Sequence, residues 1–211
     1  MPFVKLFFIY TGGRQMYDET INYYNNNAKE FANRTVNADM GVCQGRFTAL
    51  LDKGAYILDA GCGSGRDSKF FASQGFNVTA IDGSSEMCLV ASGYTGLKVE
   101  CIRFDEMEFN NRFDGIWACA SLLHIGKNEL PDILYRFNKA LKPGGIMYAS
   151  FKYGNKEEHR LGRFFSDYNM DEVKKIFLGG GLFELEECFE TEDFRPEYKE
   201  KPWINIIVRK K

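Results

Sequence analysis

Histidine is almost missing from this 211-residue chain, which has only His124 and His159, and none of its six cysteines falls in a C-x-x-C pair. A Cys/His zinc site is therefore not expected, and no metal is assigned. Basic excess is missing too, since 27 Lys and Arg stand against 29 Asp and Glu for a net charge of −2. Without a positive field the chain lacks a general means of attracting nucleic acid, and no nucleic-acid partner is expected. The apolar start, Phe3 to Tyr10, is interrupted by Lys5 and too short to cross a bilayer, so no membrane partner is expected. It also lacks the basic leader and small-residue cleavage site of a signal peptide. The cysteines at 43, 62, 88, 101, 119 and 188 are scattered, several of them inside apolar runs. Small buried thiols of this kind suit a reduced, cytoplasmic protein better than a disulfide-stapled secreted one.

What is present is an alternation of strand-like and helix-like segments. Two polar helical stretches, near Asn22–Ala32 and Gln44–Leu51, precede a strand over Ala55–Ala60. A helix over Arg66–Gln74 and a strand over Asn77–Ile81 follow, then a helix through Met87 and Val90 that stops before Gly93. Strands over Val99–Phe104 and Phe113–Cys119 come next. The helix after them places Leu130, Leu134, Phe137 and Leu141 on one face. Pro143-Gly144-Gly145 is expected to break the chain before a strand over Ile146–Phe151. A further helix, Met170–Leu178, has Asn169 and Glu172 spaced as a capping box. The last two strands, Phe183–Phe189 and Trp203–Arg209, have no helix between them and are expected to pair antiparallel.

The most informative segment is Asp59-Ala60-Gly61-Cys62-Gly63-Ser64-Gly65-Arg66-Asp67, which follows the apolar run Tyr56-Ile57-Leu58. Glycines free the chain to turn sharply and let a ligand approach the backbone, and the helix that follows points free N–H groups at the same place. Asp82 ends the next strand about twenty residues further on, where a carboxylate accepts hydrogen bonds from ribose hydroxyls. An adenosine-containing cofactor is the expected ligand. A dinucleotide fingerprint, G-x-G-x-x-G, needs its third glycine at position 66, which is Arg66 here. That departure and the terminal hairpin argue against a nicotinamide-dependent oxidoreductase.

The D-x-G-x-G-x-G pattern resembles the first motif of class I S-adenosylmethionine-dependent methyltransferases. The run Gly63-Ser64-Gly65-Arg66-Asp67-Ser68 is also similar to the small branch that includes the tellurite-resistance methyltransferases. The resemblance implies an α/β fold, a Rossmann-like, mostly parallel seven-stranded sheet with helices on both faces and a C-terminal antiparallel hairpin. It implies S-adenosyl-L-methionine as methyl donor and S-adenosyl-L-homocysteine as product. By the same resemblance Gly61, Cys62 and Gly63 contact the donor through their backbone, and Asp59 orders that loop. Asp82 holds the ribose, with Gly83 and Met87 beside the adenine. Asp105 reaches the adenine amine or serves only as a turn cap. Cys119 and Ala120 offer carbonyls to the methionyl ammonium. Arg66 either contacts the ligand or is merely solvated. Residues 1–15 are read as an extension outside a methyltransferase domain spanning 16–211, because similar chains begin near Met16-Tyr17.

His124 follows the strand-four end, on the side expected to face the acceptor. It acts either as a base for the acceptor's proton or as a packed side chain bonded to a backbone carbonyl. Tyr24, Arg160 and Arg163 are candidate acceptor contacts, the arginines forming either an anion site among aromatics or a solvated loop. Neither the Asp/Asn-Pro-Pro-Tyr/Phe pattern of nucleic-acid amino-methyltransferases nor a Pro-Cys nucleophile is present. The expected function is methyl transfer to a small molecule at O, N or S, by a monomer or homodimer. The alternative is a noncatalytic donor-binding module or partner subunit.

Overall fold

The computed structural model describes residues 11–193 and 202–211, with side chains from residue 18 onward. Its elements are α1 (Thr11–Thr35), α2 (Gly41–Thr48), β1 (Tyr56–Ala60), α3 (Arg66–Ser73), β2 (Asn77–Asp82), α4 (Ser85–Thr95) and β3 (Val99–Cys101). They continue with β4 (Phe113–Ala118), α5 (Leu130–Ala140), β5 (Leu141–Lys152), β6 (Glu157–Arg160), β7 (Arg163–Ser166), α6 (Met170–Gly179), β8 (Phe183–Thr191) and β9 (Trp203–Lys210). Seven strands make one sheet in the order β3-β2-β1-β4-β5-β9-β8. The first five run parallel, and β9 pairs antiparallel with both β5 and β8. This is the Rossmann-like sheet that the resemblance implies, closed by its expected hairpin.

Chain order places the site. The sheet grows outward from β1 in one direction through β2 and β3, and in the other through β4 and β5. The loops leaving β1 and β4 therefore diverge, and such a switch point opens a crevice at the carboxyl ends of the strands. Apolar side chains cover both faces. Leu58, Ile116, Phe137, Phe151 and Phe177 belong to the larger core, while Phe47, Ile57, Phe71, Trp117 and Tyr148 fill the other. Trp117 and Tyr148 stack at 3.9 Å on that second face.

Several boundaries differ from the sequence expectation, each for a local reason. Strand β5 starts at Leu141 rather than after the prolyl-glycyl run. Leu141 pairs with Phe113, and Pro143–Gly145 fill a register shift before Ile146 pairs with Gly115; a proline in a strand is tolerated at such a bulge. Strand β3 ends at Cys101, and Phe104–Glu106 form a 3-10 turn instead. Helix α4 runs through Gly93 and stops at Gly96, whose φ of 75° supplies the left-handed cap. Helix α6 carries the expected capping box, with Asn169 and Glu172 bonded reciprocally to each other's backbone. Helix α1 begins at Thr11, and the first ten residues of the expected extension lie outside the described part.

The β6–β7 hairpin is absent from the sequence reading, which takes this region as loop. Its two-residue turn, Leu161-Gly162, has φ of 51° and 77°. Positive φ at both positions is the hairpin geometry that matches strand twist. Leucine at the first of them hides the usual signal.

Candidate active site

The three glycines after β1 all adopt positive φ, yet each does a different job. A Cβ on Gly61 would lie 2.5 Å from the Ser121 Cβ, so this glycine lets the β1 and β4 loops touch. Ser121 completes that contact by donating to the Ala60 carbonyl at 2.8 Å. A Cβ on Gly65 would lie 2.6 Å from the Thr95 Cγ2, so this one lets α3 pack on α4. Only Gly63 opens onto space, its nearest neighbours being Phe31 Cε1 at 3.9 Å and Met87 Cε at 4.0 Å. That cradle is where a ligand can approach the backbone.

Asp82, at the end of β2, staples the loop. Its Oδ2 accepts from the Gly63 N–H at 2.9 Å and its Oδ1 from the Ser84 N–H at 2.9 Å. The Gly61 and Cys62 N–H groups both bond the Ile81 carbonyl. Enclosure pushes the Asp82 carboxyl upward, and the backbone donors pull the other way. Each carboxylate oxygen retains a second lone-pair site for a further donor. Two such acceptors beside an open glycine fit the paired hydroxyls of a ribose, so the residues present suit an adenosyl group. Gly83 follows directly, and Met87 is fully buried next to it.

Behind the loop lies a charged node that the sequence does not reveal. Asp67, 5 % exposed, receives four donors. Gln44 Nε2 and Arg66 Nε reach Oδ1 at 2.7 and 2.9 Å, and Arg66 Nη2 and Trp117 Nε1 reach Oδ2 at 2.7 and 2.9 Å. Arg66 is thus neither solvated nor free. It grips Asp67 with a bidentate fork and also approaches the Thr35 carbonyl at 3.4 Å. Asp59 sits close by, accepting from the Ser68 hydroxyl at 2.5 Å; burial and the neighbouring Asp67 raise its pKa.

The end of β4 is bent. Ala120 has φ of 51°, a left-handed backbone that costs a non-glycine residue about 1–2 kcal/mol. Its N–H is held by the Ser150 hydroxyl at 2.8 Å. The Cys119 thiol, pushed up to about 12 by burial, points at Arg66. Asp105 lies exposed on the 3-10 turn, where Arg103 engages it at 3.1 Å and also pairs with Asp18.

Helix α1 crosses from this donor side to a second wall. Asn25 accepts from the Ser84 hydroxyl at 2.7 Å, and Phe31 borders the Gly63 cradle. Next to Asn25 in the chain, Tyr24 places its hydroxyl 2.9 Å from His124 Nε2, and His124 Nδ1 meets the Phe164 carbonyl at 2.6 Å. A carbonyl only accepts, so Nδ1 carries the proton and Nε2 receives the Tyr24 hydroxyl proton. Burial lowers the His124 pKa to about 3, which keeps the ring neutral. Arg163 Nη1 donates to the Tyr24 oxygen at 3.3 Å. Arg160 turns instead to Asp167 and Glu158. Sequence reasoning found Tyr24, His124 and Arg163 separately and missed that they touch.

Residues 57–145 match the family model described as a methyltransferase domain. The matched segment runs from β1 into β5 and holds the glycine loop, Asp82 and the end of β4. A ubiquinone biosynthesis O-methyltransferase of Rickettsia akari is 30% identical over 124 residues, which are 56% of this chain and 49% of that protein. The chain spans about half the length of the curated relatives it matches. Among solved structures, the Burkholderia thailandensis 1,6-didemethyltoxoflavin-N1-methyltransferase, with 1,6-didemethyltoxoflavin and S-adenosylhomocysteine bound, superposes with a TM-score of 0.79. It is 20% identical, and the match covers 100% of this chain and 92% of that one. The cyclase SpnF superposes with a TM-score of 0.63 at 18% identity, covering 80% of each chain. These likenesses establish the fold of class I, S-adenosylmethionine-dependent methyltransferases. Every expected donor contact, from Asp59 to Ala120, lies inside the matched segment. Tyr24, Arg160 and Arg163 lie outside it.

Proposed function

We propose that this chain is an enzyme that transfers a methyl group from S-adenosyl-L-methionine to a small-molecule acceptor, releasing S-adenosyl-L-homocysteine. The observation that carries this reading is the pairing of an open Gly63 cradle with a carboxylate, Asp82, that is already fixed by two backbone donors. Asp82 takes the ribose hydroxyls, with Gly83 and Met87 beside the adenine and Asp105 toward its amine. The backbone of Gly61, Cys62 and Gly63 lies along the methionyl part, ordered by Asp59. The carbonyls of Cys119 and Ala120 accept from its ammonium, a role favoured by the left-handed turn at Ala120. Arg66 acts through Asp67, holding the loop rather than the ligand.

When bound, the donor supplies a sulfonium-activated methyl group that leaves by in-line displacement. The chain's own task is then to align the acceptor, exclude water and accommodate one proton. Tyr24 offers the acceptor a phenol, and His124 positions it: the neutral imidazole fixes the hydroxyl proton toward Nε2 and leaves the phenol oxygen facing Arg163. The atom methylated is O, N or S. The chain acts as a monomer or a homodimer. Six free thiols and a near-neutral charge balance support a reducing, cytoplasmic setting; no helix among the described residues is long and apolar enough to cross a membrane. Gly63–Ser68 supports kinship with the tellurite-resistance branch, and no acceptor is taken from it. The catalytic unit is assigned to residues 16–211.

Incubation with S-adenosylmethionine and pooled metabolites, with S-adenosylhomocysteine release as readout, tests the reading. Acceptor-dependent release supports it. Tight donor binding without release on any pool assigns the chain to a noncatalytic donor-binding module.

A further inference from the structure

The two arginines of the β6–β7 hairpin look equivalent in the sequence and are opposites in the structure. Arg160 and Arg163 face each other directly across the Leu161-Gly162 turn. Like charges at opposed positions of a strand pair are destabilising. Arg160 is neutralised by Asp167, with Glu158 at 3.5 Å. Arg163 has no carboxylate partner among the described residues. Its Nη1 donates to the Tyr24 oxygen, and its Nε, like that of Arg160, is buried with no hydrogen-bond acceptor.

Aromatic rings surround this guanidinium. Its carbon lies 4.7 Å from the Tyr23 ring centre, 5.1 Å from Phe165, 5.7 Å from Tyr24 and 6.0 Å from Phe31. Cation–π contact offsets part of the cost of removing a guanidinium from water. It does so through the flat faces, and leaves the N–H edge wanting an acceptor. A planar fork of donors flanked by aromatic walls is matched by an oxyanion on a flat ring. The place is right for an acceptor as well. Tyr24 and Phe31 pack edge to face at 5.0 Å, and Phe31 borders the Gly63 cradle, so the cluster adjoins the donor loop.

We infer that Arg163 is the anion-recognising residue of the acceptor pocket, and that the acceptor is a planar aromatic acid. Its ring lies against the Tyr24, Phe31 and Phe165 side chains, and its carboxylate takes the Arg163 fork. This inference rests on the methyl-transfer reading for its name, since it identifies the acceptor class of that same site. The chemistry it needs, a carboxylate, is also present on the methionyl part of the donor, and the experiment separates the two sources.

Calorimetry uses the full chain with 2-naphthoate, 2-naphthol and cyclohexanecarboxylate as probes, each titrated with and without saturating S-adenosylhomocysteine. Naphthoate should bind at least tenfold tighter than either other probe. Arg163→Met should abolish the naphthoate–naphthol difference while S-adenosylhomocysteine affinity stays within about threefold of the parent, which also shows that the variant is folded. Arg163→Lys keeps the charge without the fork and should retain only part of the preference; it carries the test if the methionine variant does not fold. Equal binding of naphthoate and naphthol by the parent chain overturns the inference. So does an Arg163→Met variant that weakens S-adenosylhomocysteine tenfold and leaves naphthoate unaffected, because the guanidinium then serves the donor's carboxylate. Failure of S-adenosylhomocysteine to bind the parent chain defeats the methyl-transfer reading instead, and the donor-free titrations still decide whether Arg163 selects an aromatic anion.

Discussion

Between Asp59 and Asp82 the donor side is assembled from one strand–helix–strand unit, whereas Tyr24 and Arg163, which meet on the other wall, are 139 residues apart in the chain. The first arrangement is local. Its glycines, its acid and its helix N-terminus occur in a fixed spacing because a parallel strand pair allows little else. The second is made by a long helix and a short hairpin, neither of them part of the sheet, that come together over the strand ends. The glycine loop and Asp82 fall within the matched segment 57–145, as does His124, whereas Tyr24 and Arg163 lie outside it. One part of the site is therefore local in sequence and the other is assembled from distant segments, and the proposed acceptor contacts lie in the second.

The comparison breaks most severely if Asp82 is dispensable. Asp82→Ala removes the proposed ribose acceptors and frees the Gly63 and Ser84 N–H groups together. It should weaken S-adenosylhomocysteine binding at least a thousandfold, about 4 kcal/mol by calorimetry. A loss below tenfold would detach the donor from this carboxylate.

The glycines sharpen the contrast within the donor side itself. Gly61→Ala forces a methyl against Ser121 and strains a left-handed backbone, and should cost about 3 kcal/mol of stability. Thermal unfolding should then fall by roughly 6–12 °C. Gly63→Ala meets only van der Waals neighbours and should cost about 1 kcal/mol of stability. It should nonetheless lose donor affinity, since the new methyl occupies the cradle. Equal stability losses in the two variants would erase the distinction between packing and ligand glycines.

On the acceptor side, the buried His124 sets a pH signature. Its folded pKa of about 3 lies below its ordinary 6.5, so the unfolded chain binds the extra proton between those values. Stability from this group is complete above pH 6.5 and falls as pH drops toward 3, by up to about 1.4 kcal/mol per unit. Asp59 and Asp82, whose pKa values are raised, act in the opposite sense. They are present in both proteins when the parent is compared with His124→Gln. The stability advantage of the parent should therefore shrink by about 2 kcal/mol between pH 6.5 and pH 5 in urea unfolding. A gap that does not change with pH would mean that the imidazole is not held neutral.

The smallest effect concerns the hairpin turn. Leu161→Asn places a residue that tolerates the left-handed region at φ of 51° and should stabilise the chain by about 0.5–1 kcal/mol. A neutral or unfavourable result would show that the exposed leucine is held by a contact rather than strained.

What was legible follows the same division. The alternation of strands and helices, the hairpin of β8 and β9, the Asn169–Glu172 capping box and the glycine loop all rest on spacings of a few residues, and the residue pattern predicts them. The Asp67 node was not legible, because its donors come from Gln44, Arg66 and Trp117, on three separate elements. The β6–β7 pair was hidden for two reasons: Glu157-Glu158-His159-Arg160 has no apolar alternation, and Leu161-Gly162 lacks the Asn or Asp that marks such turns. The roles of Arg160 and Arg163 separate only once Asp167 is seen beside the first and not the second. The partner that places the His124 proton on Nδ1, the Phe164 carbonyl 40 residues away, could not be read from spacing.

Calorimetric titration of the parent chain with S-adenosylhomocysteine and, separately, with NAD tests the central claim most directly. The account predicts saturable, one-to-one binding of S-adenosylhomocysteine and none of NAD. Binding of NAD, or no heat with S-adenosylhomocysteine, would contradict it.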